Sequence, residues 1–299
     1  MFIVYLCALL LILNCVFFGI GNALTSDVVS QIPLFTFLAL RFSVAAFLFL
    51  VISPKRIYKN LFTLKKGKGP LLLVCVLTAL SYLLANVSLS LTQASISGFF
   101  LSVAVLFAPF LTAWFHKTKL DWRILPVLGM TLFGLYLLCG GFGDTFSFGW
   151  GEATGLMCSA VFASQIVCSS KYLMRYGWEP VTLSAVQTGF MAFVCLPIAL
   201  IADPPFQIAS FSVPFWLAIG FIAVFCTLIN YIFQNFALLR VCPVYASVAM
   251  STEMIFTLMA AHFISGETLS VSALIGGALV FIAVIIASFF TNISPPEST

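Results

Sequence analysis

The sequence predicts an all-α membrane protein with ten transmembrane helices arranged as two inverted repeats of five helices. Three observations predict this fold class. The chain consists of long apolar runs separated by short connections, its basic residues fall in alternate connections, and its two halves match each other after a shift of 149 residues. We predict domain boundaries at 1–141 for the first repeat, 149–291 for the second and 292–299 for a cytoplasmic tail.

The composition excludes a soluble fold. Hydrophobic residues make up 62% of the chain and charged residues 7%, whereas an average soluble chain is about 45–50% apolar and about 25% charged. A fold in water could not bury this much apolar surface, so the expected solvent is lipid. No strand-like alternation recurs along the chain, which argues against an outer-membrane barrel. The first apolar run is too long for a signal-peptide core and lacks a basic flank, so it is predicted as a permanent helix.

Ten apolar runs have the length of about 20 residues that a hydrocarbon core of about 30 Å requires. Prolines at or near the starts of several runs support these boundaries, because the first helical position needs no backbone N–H. The predicted spans lie near 2–22, 33–52, 70–90, 94–115, 122–141, 152–171, 180–201, 214–236, 243–264 and 270–291.

The basic residues predict the orientation in the membrane. Of the thirteen Lys and Arg residues, Arg41 lies inside a span and the others all fall in even-numbered connections. The odd-numbered connections contain no Lys or Arg and hold the acidic residues Asp27, Asp144, Glu152, Asp203 and Glu267. By the positive-inside rule, both termini are cytoplasmic in an inner or plasma membrane. The basic set is Lys55, Arg56, Lys59, Lys65, Lys66, Lys68, Lys117, Lys119, Arg123, Lys171, Arg175 and Arg240.

An internal repeat relates the third span to the eighth. A shift of 149 residues superimposes Thr78 on Thr227, Tyr82 on Tyr231 and Asn86 on Asn235. Residues four apart lie on one helical face, so each set forms a polar stripe. The two spans cross the membrane in opposite directions, as in transporters built from inverted repeats. The alternative is a chance match or ordinary interhelical hydrogen bonding.

Short motifs in a fixed order run through both halves. They resemble those of the drug/metabolite transporter superfamily, EamA type, over nearly the whole length. There are two departures: His116-Lys117-Thr118-Lys119 replaces a Gly-Glu ending, and Met254 replaces a proline that often follows the glutamate, which leaves no proline to kink that helix. The motifs are Phe17-Phe18-Gly19 with Asn22, Leu40-Arg41-Phe42, Gly98 through Phe110, Leu128-Gly129 through Gly134-Leu135, Ser251 through Phe256, Ser265 through Leu269, and Ile275 through Ala278.

The resemblance implies a ten-helix inverted-repeat fold around a central cavity. Helices one, three, four, six, eight and nine line that cavity, two and seven bound it, and five and ten lie at the periphery. It also implies transport of a small metabolite, with export of compounds such as amino acids favoured by analogy alone.

Two ionisable residues, Arg41 and Glu253, lie near the bilayer midplane, where a charge costs several kcal/mol. Three interpretations of Glu253 stand open: a protonated, hydrogen-bonded carboxyl; a structural pair with Arg41 or backbone donors; or a substrate contact that carries a coupling proton. For Arg41 a structural role on helix-end carbonyls is favoured over a substrate contact. If both reached the cavity, they would suit a zwitterion, with its carboxylate on Arg41 and its amine near Glu253.

Other polar and aromatic residues inside the spans complete the candidate substrate site. Tyrosine suits an amphipathic solute or a cation over the ring, and interhelical packing is the alternative for each residue. Five tryptophans at span ends, Trp114, Trp122, Trp150, Trp178 and Trp216, are predicted as interface anchors. The further site candidates are Asn14, Tyr82, Asn86, Ser102, Gln165, Tyr231, Asn235 and Tyr245, with Asn230 and Gln234 as additional members.

The function predicted is secondary transport by alternating access, with export of an amino acid or similar zwitterion as the first interpretation. Efflux of a cationic or aromatic drug-like amphiphile is the alternative. The sequence contains no Walker A motif, so a built-in ATPase is not predicted. No set of protease catalytic residues lies at membrane depth, so an enzyme is not expected. We expect no cofactor or metal, since the cysteines lie mostly in apolar runs without a Cys-x-x-Cys motif. The expected partners are a small-molecule substrate and the lipid bilayer, with no nucleic acid, in a monomer or a homodimer.

Overall fold

The structure is a computed structural model that describes residues 2–29, 31–64, 67–92, 94–117, 122–138, 148–203, 212–265 and 270–290. Within these ranges every regular element is a helix, so the predicted all-α class is confirmed. Several sequence features lie outside the described residues, namely Asp144, the Gly266–Leu269 motif and the tail 292–299.

Fourteen helices and one wide π turn make up the described parts of the chain. Seven of the predicted spans correspond to one helix each, three correspond to two helices each, and α3 lies outside the predicted spans. The helices are α1 (Phe2–Val29), α2 (Leu34–Ile52), α3 (Pro54–Leu64), α4 (Lys68–Leu91), α5 (Ala94–Ser102), α6 (Ala104–His116), α7 (Ile124–Leu138), α8 (Trp150–Tyr176), α9 (Pro180–Ala202), α10 (Val213–Ala223), α11 (Asn230–Leu238), α12 (Pro243–Met250), α13 (Glu253–Ser265) and α14 (Val271–Phe290).

Eight helical segments in the described residues are long and apolar enough to cross a membrane. The predicted fifth and tenth spans correspond to two shorter apolar helices, Ile124–Leu138 and Val271–Ala287. The protein is therefore a multi-pass membrane protein, while the count of ten crossings stays a prediction. We call the side of the α1–α2 connection the outer side and the side of α3 the inner side, following the predicted orientation.

The inverted repeat is visible in the helix boundaries. Adding 149 to the bounds of α6 gives those of α13, and the same shift carries α5 onto α12 to within one residue. The packing follows the same symmetry: α4 packs on α8 as α11 packs on α1, and α6 packs on α8 as α13 packs on α1. The helices α7 and α14 pack on each other, as do α2 and α9. The two repeats are thus interdigitated around a pseudo-two-fold axis, as predicted.

Two spans are broken at equivalent points. Helix α5 ends at Ser102, helix α6 begins at Ala104, and the equivalent break separates α12 from α13 at Ser251 and Thr252. The hydroxyls of Ser251 and Thr252 donate to the carbonyls three residues earlier, at 2.6 and 2.8 Å. Such local hydrogen bonds compete with the helical ladder. The ninth predicted span is therefore interrupted by Ser-Thr, although Met254 stands where a proline would be expected.

A third interruption joins α10 to α11, where Val224–Ile229 form a π turn. The Thr227 hydroxyl donates to the carbonyl of Ile222, five residues earlier, at 3.2 Å. A π turn widens the helix and frees backbone groups from their usual partners, and such turns are frequent at functional sites. The sequence does not predict this feature.

A large buried cluster fills the inner half of the protein, and we call it the inner seal. Helices from both repeats contribute side chains to it, including those of Leu11, Val105, Leu173, Leu183 and Val248. Trp178 also belongs to it, 1% exposed and stacked on Tyr176 with ring centroids 5.4 Å apart. The prediction that Trp178 anchors the protein at the lipid interface is wrong, because this indole packs inside the protein.

The short helix α3 was not predicted from the sequence. It follows α2 directly on the inner side and carries Lys55, Arg56 and Lys59. A basic helix of this kind suits a position along the membrane surface. Arg56 joins α3 to the start of α9 through an ion pair with Glu179, at 2.6 Å.

We expect Gly134→Ala to destabilise the protein. A Cβ at Gly134 would lie 2.8 Å from the carbonyl oxygen of Gly276, so the close contact of α7 with α14 would have to open. Such overpacking costs about 1–3 kcal/mol. The matched control is Gly129→Ala on the same helix, where a Cβ meets no atom within 4 Å. Melting temperatures in detergent should fall for the first variant alone, and equal changes in both would contradict this packing.

Candidate functional site

Arg41 is buried and is tied to the π turn. Its side chain is 5% exposed. Its Nε donates to the Thr227 hydroxyl and its Nη2 donates to the Cys226 carbonyl, both at 2.7 Å. The guanidinium thus satisfies a carbonyl that the π turn frees inside the membrane, where an unpaired polar group is costly. Of the two interpretations of Arg41, the geometry matches the structural one.

Three aromatic rings surround the same guanidinium. Its central carbon lies 5.3 Å from the ring centre of Phe18, 5.6 Å from that of Phe42 and 5.8 Å from that of Tyr82. Cations within about 6 Å of a ring centre are stabilised by the ring quadrupole. Arg41 is therefore held by neutral groups supplied by α1, α2, α4 and the π turn.

Glu253 begins α13 directly after the helix break. Its Oε1 accepts a hydrogen bond of 3.0 Å from the side-chain amide of Asn22. The same amide donates to the Thr257 hydroxyl at 3.2 Å, so Asn22 bridges the first turn of α13. Arg41 and Glu253 do not form an ion pair. Among the described residues, Arg56 and Glu179 are the pair in which a Lys or Arg nitrogen lies within 4.0 Å of a carboxylate oxygen.

A close helix crossing places Asn22 beside Glu253. A Cβ at Gly19 would lie 2.5 Å from the backbone of Phe256, so α1 and α13 approach each other at a position that only glycine permits. Asn22 lies three residues further along α1, on the same face as Gly19. Small residues at such contacts let membrane helices pack closely, and here the contact aligns an amide donor with the carboxylate.

Tyr82 and Tyr231 meet near the pseudo-two-fold axis. Their hydroxyl groups interact with each other, and the two residues are related by the 149-residue shift. Two residues related by a two-fold axis can touch only close to that axis. The predicted stripe residues Tyr82 and Tyr231 therefore lie at the centre of the bundle, and the Tyr82 ring adjoins Arg41.

Apart from Asn86, the remaining stripe residues serve interhelical contacts. The Asn235 amide donates to the Gln187 side-chain carbonyl at 2.8 Å and to the Ser184 hydroxyl at 2.9 Å. Gln187 in turn donates to the Thr78 hydroxyl at 3.1 Å, which links α9 to α4 and α11. Asn86 donates to the carbonyl of Tyr82, one turn earlier in its own helix.

The contacts described for the other predicted site residues are with residues other than Glu253. Gln165 accepts from Gln234 at 3.3 Å and joins α8 to α11. Ser102 donates to the carbonyl of Gly98 in its own helix, and Tyr245 is buried in the inner seal. Asn230 is also buried, and Asn14 is 2% exposed with a side-chain oxygen that has no hydrogen-bond partner.

Three residues of this region were missed as site candidates. Asn22 stood in the first-helix motif without a role, and Thr257 and Gln187 drew no attention in apolar runs. The spacing of Glu253 and Thr257, four residues apart on one helix, was a usable signal because both lie on one face. Their shared partner on α1 depends on the helix crossing, which the sequence does not reveal.

We expect Arg41→Lys to lower stability. A lysine ammonium has no planar fork and cannot reproduce both donor contacts, so the Cys226 carbonyl or the Thr227 hydroxyl loses its partner at a cost of about 1–3 kcal/mol. The matched control is Arg240→Lys, a change at an exposed residue two positions after the inner end of α11. Heat-induced loss of the monodisperse peak in size-exclusion chromatography measures the difference. Equal stability of the two variants would show that Arg41 is not a structural anchor.

Comparison with known proteins identifies the family. The EamA-like transporter family matches residues 5–140 and 149–289. An uncharacterised transporter of Archaeoglobus fulgidus is 26% identical over 209 residues, which cover 70% of this chain and 65% of that relative, slightly less than two thirds of its length. A solved structure described only as the crystal structure of a protein has a TM-score of 0.78 and 16% identity, over 94% of this chain and 96% of that one, and shares the fold. Because the family model matches both halves, the chain belongs to the EamA-like transporter family.

Proposed function

We propose that the protein is a secondary transporter that exports a small organic metabolite with an amine group, an amino acid or a similar zwitterion, by alternating access. We place it in the cell membrane with both termini in the cytoplasm. The direction of transport rests on family analogy, and the orientation rests on the distribution of basic residues.

One observation carries the proposal: Glu253 has a carboxylate oxygen without a donor. Oε1 accepts from Asn22, whereas Oε2 has no hydrogen-bond donor among the residues that the structure describes. Glu253 is partly buried inside a membrane-spanning segment, where a carboxylate that lacks a direct cation is costly. A proton or a ligand ammonium at Oε2 would remove this cost, so we propose that Glu253 holds one or the other in turn.

The helix break gives Glu253 its position. Interrupted helices in transporters place polar groups near the bilayer midplane, where substrate and coupling ions bind. Glu253 stands at the first residue of α13, and its amide partner Asn22 comes from the other repeat. The proposed contact set is therefore Glu253, Asn22 and Thr257, with Tyr82 and Tyr231 as the central aromatic surface.

Arg41 favours a second candidate function. The Arg41 side chain already donates hydrogen bonds to Thr227 and Cys226 and is surrounded by three aromatic rings. It therefore offers little to the carboxylate of a zwitterion. A ligand with a cationic centre and an apolar or aromatic body needs no such partner. Efflux of a cationic or aromatic drug-like amphiphile is thus the alternative, with the same amine contact at Glu253.

The two repeats supply the mechanism. Alternating access by rocking of one repeat against the other is the expected motion of inverted repeats. The inner seal closes the inner half in this conformation, and the breaks in the α5–α6 and α12–α13 spans offer hinge points at equivalent positions. In the proposed cycle, the inner half opens while the outer half closes, so that the substrate can reach the same Glu253 from either side in turn.

We expect purified protein in liposomes to transport amines and to respond to a pH gradient. The panel contains amino acids, the carboxylic acids that lack only the amine, and quaternary ammonium compounds, each tested with and without the gradient. Transport of amino acids supports the first candidate, and movement of quaternary amines alone supports the second. Transport of the amine-free analogues alone would contradict both.

We expect Glu253→Gln to abolish the pH dependence of transport and to lower the rate for amines by about tenfold or more, the worth of one charge-assisted hydrogen bond. The matched control is Glu152→Gln, which makes the same chemical change at a carboxylate that accepts from Thr92 and from the Gly149 backbone. The control should keep its pH dependence. A Glu253 variant with wild-type transport would remove this residue from the mechanism.

A further inference from the structure

A cavity lies on the surface of the protein, between the inner ends of α7 and α14. Its volume is about 350 Å³, within the range of about 300–1,000 Å³ that ligand sites usually have. The cavity combines one cationic side chain with an apolar lining from the first two turns of α7 and the end of α14. The residues that line it are Arg123, Pro126, Val127, Met130 and Ile286.

The cationic and apolar parts of the cavity follow one another along α7. Arg123 directly precedes this helix, and the Leu125 N–H donates to the Trp122 carbonyl, so the first turn begins at this point. At 1.5 Å per residue, Met130 lies about 10 Å further along the helix, towards the bilayer centre. A phospholipid of the inner leaflet has the same order, with its phosphate at the membrane surface and its acyl chains towards the centre.

Trp122 places Arg123 at the level of the lipid headgroups. The Trp122 side chain is 69% exposed, and exposed tryptophans at span ends lie at the membrane interface. The guanidinium of the next residue has a planar set of donors that matches the oxygens of a phosphate. It also lies beside the start of α7, which is the positive end of that helix. The inner end of the cavity therefore suits an anionic headgroup.

The outer side of the same helix pair differs in charge. The 149-residue shift relates Arg123 to Ser272, near the start of α14, and the Ser272 hydroxyl lies 2.8 Å from that of Ser270. A smaller cavity of about 130 Å³ lies on this side, and the described residues that line it are all apolar. A cation and a cavity therefore coincide on the inner side, where anionic lipids give the cytoplasmic leaflet its negative potential. A basic residue that only sets the orientation of the protein needs no cavity beside it.

We propose that this cavity binds one anionic phospholipid of the inner leaflet. Its phosphate lies on Arg123, and one acyl chain lies against Val127, Met130 and Ile286. Basic pockets between membrane helices on the cytoplasmic side are a recurrent form of lipid site. The inference goes beyond the proposed function, because it concerns a lipid and does not depend on the transported solute.

The experiment measures lipid binding by native mass spectrometry of the full chain, purified in detergent. The protein is titrated with phosphatidylglycerol and with phosphatidylcholine of identical acyl chains, which differ in net charge. R123Q removes the proposed phosphate contact, and M130W fills the apolar part of the cavity without changing the charge. The matched control is R175Q, the same chemical change at an exposed arginine at the inner end of α8 that does not line the cavity.

We expect wild-type protein to bind phosphatidylglycerol more tightly than phosphatidylcholine. R123Q should weaken the binding of phosphatidylglycerol about tenfold, the worth of one charge-assisted hydrogen bond to the phosphate. R175Q should change it by about twofold at most, because exposed charges contribute little. M130W should weaken the binding of phosphatidylglycerol although Arg123 is retained.

Equal affinity of wild-type protein for the two lipids would overturn the proposal. Equal losses in R123Q and R175Q would overturn it too, because the lipid would then respond to surface charge and not to this cavity. A dimer that M130W dissociates, without any preference for phosphatidylglycerol, would show that a second copy of the chain covers the cavity instead. If R123Q does not accumulate as a monodisperse protein, R123M replaces it, since methionine keeps the apolar part of the side chain and removes the charge.

Discussion

The structure depends on one constraint: a backbone interrupted inside the membrane must find hydrogen-bond partners within the protein. Arg41 meets this constraint for the π turn by donating to the Cys226 carbonyl and to the Thr227 hydroxyl. That contact ties α2 to the α10–α11 span and draws Phe18, Phe42 and Tyr82 around the cation. A buried charge for which the sequence favours a structural role is thereby used to hold neighbouring helices of the bundle together.

Because Arg41 donates its hydrogen bonds to the π turn, it does not pair with Glu253, whose Oε2 is left without a hydrogen-bond donor among the described residues. Symmetry sharpens this point. The 149-residue shift pairs Glu253 with Ala104, Arg41 with Phe190, and Asn22 with Lys171. The repeat supplies matching helices, matching breaks and the Tyr82–Tyr231 contact, whereas the charged chemistry lies at positions where the two halves differ. A symmetric scaffold with an asymmetric site is consistent with two similar conformations that expose one binding residue to opposite sides.

Much of the fold follows from the sequence, because the constraints that lipid imposes are visible in it. Apolar run length predicts the spans, and the shared Thr, Tyr and Asn stripe predicts the repeat. The interruptions are harder to predict. Ser251 and Thr252 break a helix without a proline through their own hydroxyls, and the π turn at Thr227 needs a partner from α2. The site is least predictable, since Asn22 reaches Glu253 only because Gly19 lets two helices touch. Trp178 shows the converse error, where a residue at a span end packs inside the protein.

Proton release on binding tests the central claim most directly. An amine that the liposome panel identifies is added to purified protein in weakly buffered detergent solution, and released protons are followed with a pH indicator dye. If Glu253 exchanges a proton for the ligand ammonium, wild-type protein releases protons as the amine binds, and Glu253→Gln releases none while the dye responds normally to added acid. Equal release from both proteins, or binding to wild-type protein without release, would contradict the account.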